Sequence, residues 1–170
     1  MKRLIISHLL ILTFSMAGCA QTTMPSDSPP APTNQAAVDS SSIDSKKARE
    51  FSDSVVQAIL VDRYGDLRQK MEQAFRDVVS EKEMKPIAEK VYSWYGKPLE
   101  AEFKNEEIGY RMYENGDRKP LRKYWYAVRT TKHEKGTAFL FTEIVPDGES
   151  LACAQFSIVT FPLGVSPSLR

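Results

Sequence analysis

From Leu99 onward the apolar period of this chain changes from helical steps of three and four residues to strict alternation, and that change decides the class of fold. Leu99, Ala101 and Phe103 alternate with Glu100, Glu102 and Lys104. Ile108, Tyr110 and Met112 continue the alternation one residue out of phase, so a bulge or break is expected near Asn105. The turn signal Glu114-Asn115-Gly116-Asp117 follows, and then three further β-rich runs, LRKYWYAVRTT, TAFLFTEIV and SLACAQFSIVTF. They are divided by His133-Glu134-Lys135-Gly136 and by Pro146-Asp147-Gly148. Connections this short predict an antiparallel meander of four strands.

Upstream of Leu99 the pattern is helical. Ala48, Phe51, Val55, Ala58 and Ile59 recur at helical spacing after the candidate caps Asp44 and Ser45. A second stripe, Leu67, Met71, Phe75 and Val78, is expected after a break at Tyr64-Gly65-Asp66. A third, Met84, Ile87, Ala88, Val91 and Trp94 or Tyr95, follows Ser80-Glu81-Lys82-Glu83, which has capping-box spacing, and stops at Gly96. Pro86 removes a helical hydrogen bond there and predicts a kink or a separate first turn. Helices first and strands second predict an α+β domain, its N-terminal helices packed on one face of a four-stranded antiparallel sheet.

The first residues, MKRLIISHLLILTFSMAGC, read as an export signal: Lys2 and Arg3, then an apolar run from Leu4 to about Met16, then small residues. The run is shorter than the ~20 apolar residues a bilayer span requires. Met16-Ala17-Gly18-Cys19 resembles the bacterial lipobox, with Met16 where that family most often has Leu. The resemblance covers about the first 20 residues. It implies that residues 1–18 are removed and that Cys19 is the lipidation site, thioether-linked to diacylglycerol and then acylated at its new N-terminus. Each buried CH₂ contributes about 0.8 kcal/mol, so two or three chains hold durably where one does not. The alternative is ordinary signal cleavage after Ala20. The lipobox also implies a lipid-anchored place in the cell envelope, and Ala20 in place of an Asp after the cysteine implies the outer membrane, facing the periplasm.

Removing residues 1–18 takes away two of the 23 basic side chains and no acidic one, leaving 21 against 22. A mature charge of −1 gives no ground for nucleic-acid binding. Residues 19–45 then form a Pro- and Ser-rich tether without aromatic residues, Lys or Arg, expected to be disordered. Its ~26 residues beyond Cys19 hold the domain on the order of 30 Å from the bilayer. Residues 46–170 have the size of one domain, with no internal repeat.

The element order, with AREFSDSVVQAILVDRYGDL, VVSEKEMKPIAEKVYSWYGKP and the four late strands, resembles small exported members of the nuclear-transport-factor-like superfamily. The resemblance covers about residues 46–163 and rests on element order rather than on a motif. It implies a cystatin-like cone, a curved sheet wrapped around a helix, in a superfamily of isomerases, dehydratases, ligand carriers and assembling domains. No catalytic residue carries over from it.

The residues themselves supply few candidates. Tyr92 and Tyr95 in YSWY, Tyr110, and Trp125 in KYWY are the candidate ligand-binding residues for a flat or lipidic ligand, although aromatics this dense are usually core. Tyr124, Tyr126 and Val128 point to one face of their strand and Trp125 to the other. Cys153 lies in an apolar strand and reads as a buried hydrophobe; His133, in a turn, is the only histidine of the mature chain and is no evident base for it. The segment from Arg111 to Lys135 carries eight basic and three acidic residues, which reads either as a solvated hairpin or as a surface facing anionic lipid. Glu100, Glu102, Glu106 and Glu107 form no evident acid–base pair, and no metal-ligand spacing or cofactor motif is present. The sequence therefore predicts a non-catalytic binding or assembly module. Its partners would be the bilayer through acylated Cys19 and an envelope protein or a small apolar ligand. The rival is an isomerase-like or hydrolytic enzyme using an acidic residue and a tyrosine inside the cone.

Overall fold

The computed structural model describes residues 43–161, so Cys19 and the residues assigned to the signal lie outside the described residues. The described chain is α+β: four helices precede four strands, which form one open antiparallel sheet in the order β1-β2-β3-β4. The helices are α1 (Ser45–Leu60), α2 (Tyr64–Lys70), α3 (Gln73–Val78) and α4 (Glu81–Tyr95). The strands are β1 (Pro98–Met112), β2 (Arg118–Thr130), β3 (Ala138–Asp147) and β4 (Ser150–Thr160).

Asp44 caps α1, its carboxylate accepting from the Lys47 N–H at 3.0 Å, which satisfies one of the free donors of the first turn. The helix buries Ala48, Ser52, Val55, Val56, Ala58 and Ile59 and contacts all four strands. Ile43, assigned above to the tether, is only 3% exposed and belongs to the core. Its carbonyl accepts from Arg122 Nε at 3.0 Å.

The second stripe corrects the sequence reading: it is two short helices, not one. Tyr64-Gly65-Asp66 is not a break but the first turn of α2, and the interruption falls at Met71. Met71 is extended and bridges to Cys153 of β4, and the Glu72 N–H donates to the Cys153 carbonyl at 3.2 Å. A contact to the edge strand thus overrides local helix continuation. Arg68 donates to the carbonyls of Val79 (2.6 Å) and Arg76, and Arg76 to those of Gln69 and Met71, so the two helices are cross-linked. Val78, expected on the buried stripe, is 76% exposed.

In α4 the capping box forms between Ser80 and Glu83, and the helix runs unbroken through Pro86, where a kink or a separate turn was expected. Met84 is its only buried residue; Ile87 and Trp94 of the expected stripe are exposed. Gly96 ends it at φ 78°, and a Cβ there would meet the Lys132 nitrogen and Thr130 Oγ1 at 2.7 Å, so glycine is required twice over.

In the sheet, the phase change expected near Asn105 is a bulge: Phe103 pairs with Tyr126, Asn105 pairs with Trp125, and Lys104 stands between them. The β2–β3 ladder ends at Arg122–Ile144 while β1 and β2 remain paired to Met112–Arg118. Pro120 and Pro146, which lack N–H donors, lie just past that end. The far half of the β1–β2 hairpin is thereby a two-stranded arm.

Candidate functional site

Between α1 and the sheet, four side chains are joined in a chain. Ser52 Oγ lies 2.6 Å from both Tyr126 Oη and Thr142 Oγ1, and Tyr126 donates to Asp53 at 2.8 Å. Counting protons orders the chain. Asp53 only accepts, so Tyr126 spends its proton there and accepts from Ser52; Ser52 in turn accepts from Thr142. Asp53 is further held by Arg49 at 3.0 and 3.1 Å, and the Arg49 guanidinium lies 3.4 Å from the centre of the Phe103 ring. Burial pushes the Tyr126 phenol well above its ordinary value. The cluster joins α1 to β2 and β3, and each of its three hydroxyl protons is engaged within it.

A second tyrosine–carboxylate group lies past the end of α1. Asp62 has φ 57°, a left-handed conformation unusual outside glycine. Its carboxylate accepts from Tyr64 Oη at 2.9 Å and pairs with Lys97. Burial works to raise its pKa, but the hydrogen bonds from Lys97 and Tyr64, with the charges of Lys97 and Lys85, outweigh it and hold the carboxyl low. Burial, aided by the charge of Asp62, pushes the Tyr92 phenol up to about 12. An open groove of about 950 Å³ runs alongside, lined by Asp62, Arg63, Tyr64, Asp66, Ser80 and Glu81 among others. A second hollow of about 570 Å³ lies between α1 and the chain from Arg63 to Lys70. Neither is lined by a residue of the sheet; the groove is rich in charged side chains, and the hollow in charged and amide ones.

The four aromatic candidates fall in different places. Tyr92 faces the Asp62 group. Tyr95 packs against the core, and its carbonyl accepts from Thr130 Oγ1 at 2.8 Å. Tyr110 stands on the arm opposite Pro120, with the Arg118 guanidinium 3.7 Å from its ring centre. Thr130 and Pro120 are about 33 Å apart along β2, at ~3.3 Å per residue, so Tyr95 and Tyr110 lie at opposite ends of it. Trp125 is on the other face of the sheet, as its alternation with Tyr124 and Tyr126 requires; its indole N–H donates to Glu107 at 2.9 Å. These four do not line one cavity.

Each carboxylate of β1 also has its own partner. Glu100 pairs with Arg129, Glu102 with Lys104 and Lys135, Glu106 with Arg122, and Glu107 accepts from Trp125. Hydrogen bonds from Lys104 and Lys135 bring Glu102 down to about 2. Arg111 and Lys123 share Glu143, and Lys119 reaches Glu72, so much of the local excess of positive charge is neutralised across strands. Cys153 is fully buried, and that burial pushes its thiol up to about 12, the opposite of what a nucleophile requires. Among the described residues no group of three or more His, Cys, Asp or Glu could hold a metal ion.

One feature escaped the sequence reading. Trp125, Ala127, Phe139 and Phe141 form a second buried cluster, with Val159 and Phe161 packed on it and no helix residue among its members. The Trp125 and Phe141 rings are 5.1 Å apart, and Lys123 Nζ lies 4.0 Å from the centre of the Phe141 ring. Asn105, paired with Trp125 across the ladder, has both amide atoms buried without a hydrogen-bond partner. The available signal was β3 itself: Ala138-Phe139-Leu140-Phe141 is apolar at every position, the mark of a strand covered on both faces. Comparison of the chain with family models, curated proteins and solved structures finds no match.

Proposed function

We propose that this chain is an envelope lipoprotein, held in the outer membrane by acylated Cys19 and facing the periplasm, whose α+β domain is a non-catalytic binding or assembly module. The observation that carries the second half is the hydrogen-bonded chain Thr142–Ser52–Tyr126–Asp53 beneath α1. On the cone reading, these structural contacts take the interior that would otherwise be open to a substrate. The helix-before-sheet order and the contact of α1 with all four strands support that fold reading. The engaged carboxylates of β1 and the high thiol of Cys153 support the absence of acid–base and nucleophilic roles.

The test is native mass spectrometry of the purified chain together with Trp125→Ala and Tyr95→Ala. The module reading expects wild type without a bound organic molecule, and variants that lose stability by about 3–5 kcal/mol, the ordinary cost of truncating a packed aromatic. Stable variants that lose a stoichiometric ligand present in wild type would replace this reading with a carrier or an enzyme.

A further inference from the structure

The arm of the β1–β2 hairpin carries a surface that neither the core nor the proposed module accounts for. Ile108, Tyr110 and Met112 alternate along β1 and so share one side of it. Ile108 is 58% exposed and Met112 65%, against 0–3% for the core residues on the same side of β2, such as Tyr124, Tyr126 and Val128. Arg118, opposite Met112, covers the Tyr110 ring and makes no ion pair among the described residues. An aliphatic pair, a tyrosine and an arginine on one side of a strand are the side chains that settle at a membrane–water boundary, apolar parts inward and polar ends in the headgroups.

The position of the tether says what lies against this surface. Arg122 holds the Ile43 carbonyl, and Tyr124 Oη donates to the Ser45 carbonyl at 3.3 Å. Arg122 is the ladder partner of Ile108. The chain coming from Cys19 therefore joins the domain beside Ile108, at the root of the arm, and the exposed Lys46 and Lys47 follow directly. Taken as the proposed tether, the roughly 24 residues from Cys19 to Ile43 have an r.m.s. span of roughly 25–30 Å. A tether that short gives a weak interfacial contact an effective concentration in the millimolar range. The acidic residues at this end are Asp44, Glu72, Glu106, Glu107, Glu114, Asp117 and Glu143; Arg122 neutralises Glu106, Lys119 pairs with Glu72, Arg111 and Lys123 pair with Glu143, and Glu107 accepts from Trp125 on the other face. The contact is accordingly carried by the apolar side chains, with Arg118 and the two lysines on headgroup phosphates.

We infer that the Ile108–Tyr110–Met112 side of the arm is a membrane-docking surface, which lays the domain on the phospholipid bilayer that holds its own anchor. This rests on anchoring at Cys19. The test uses the full chain reconstituted in vesicles of phosphatidylethanolamine and phosphatidylglycerol, with an environment-sensitive fluorophore on Met112→Cys or, as control, on Glu134→Cys in the β2–β3 turn. Cys153, buried with a high thiol pKa, stays unlabelled. Docking predicts a blue-shifted emission at position 112, quenched several-fold more by nitroxide lipids than at position 134, and a quenching that falls by at least half in an Ile108→Ser, Arg118→Ser background. Emission at 112 as water-exposed and unquenched as at 134 would overturn docking and leave the surface to a protein partner. The mass of the Cys19 peptide is read on the same sample. An unacylated peptide sinks the anchoring reading alone, and quenching at 112 by added vesicles then decides the arm by itself.

Discussion

At the scale of single residues, the proton order beneath α1 makes a graded prediction. Ser52 is the middle link, donating to Tyr126 and accepting from Thr142, so Ser52→Ala strands a partner on each side. It should cost about 1–3 kcal/mol in chemical denaturation. Thr142→Val removes only the terminal donor in a near-isosteric change, and about 1 kcal/mol is expected. Equal losses would mean that the chain is not ordered as deduced. Cys153 gives a prediction in pH. Its folded thiol is raised to about 12 by burial from an ordinary value of 9.0, so the folded state favours the protonated form. That stabilisation is complete below about pH 9 and is lost as pH rises through 12, with a slope of about 1.4 kcal/mol per pH unit in between. Cys153→Ala should show a shallower alkaline loss by that slope in urea melts from pH 9 to 11. Parallel curves would mean that the thiol is accessible to solvent.

At the scale of elements, what was legible divides along the difference between local and distant causes. Asp44 capping α1, the Ser80–Glu83 box and the Lys104 bulge depend on neighbours in sequence, and each could be read from it. The break at Met71 could not, because its cause is the bridge to Cys153 some eighty residues on. The same holds for the site: the alternation of Tyr124, Trp125 and Tyr126 separated the faces of β2, but nothing local revealed that Ser52 would join Tyr126 to Thr142. Two substitutions probe the elements. Gly96→Ala should destabilise by about 2–4 kcal/mol, since the left-handed backbone and the approach of the Lys132 nitrogen both oppose a Cβ. Pro86→Ala, on the exposed side of a continuous α4, should stabilise by about 1–3 kcal/mol by restoring a helical hydrogen bond. A loss there instead would mean that the proline sets the course of the helix.

At the scale of the whole molecule, the N-terminal boundary of the domain is a matter of Ile43 and Asp44. A chain beginning at residue 42 keeps a buried isoleucine and the cap of α1; one beginning at residue 46 lacks both. The difference in unfolding free energy should be about 3–5 kcal/mol, the isoleucine contributing most. Equal stability would place the boundary where the sequence composition alone puts it. The organisation proposed for the chain, an anchor followed by a leash and a module with its interior filled, depends above all on Cys19. The most direct measurement is the mass of the N-terminal peptide of protein recovered from membranes, compared with Cys19→Ser. Acylated Cys19 as the first residue, with the serine variant unprocessed or released, is what the account predicts; a water-soluble wild type beginning at Gln21 would contradict it.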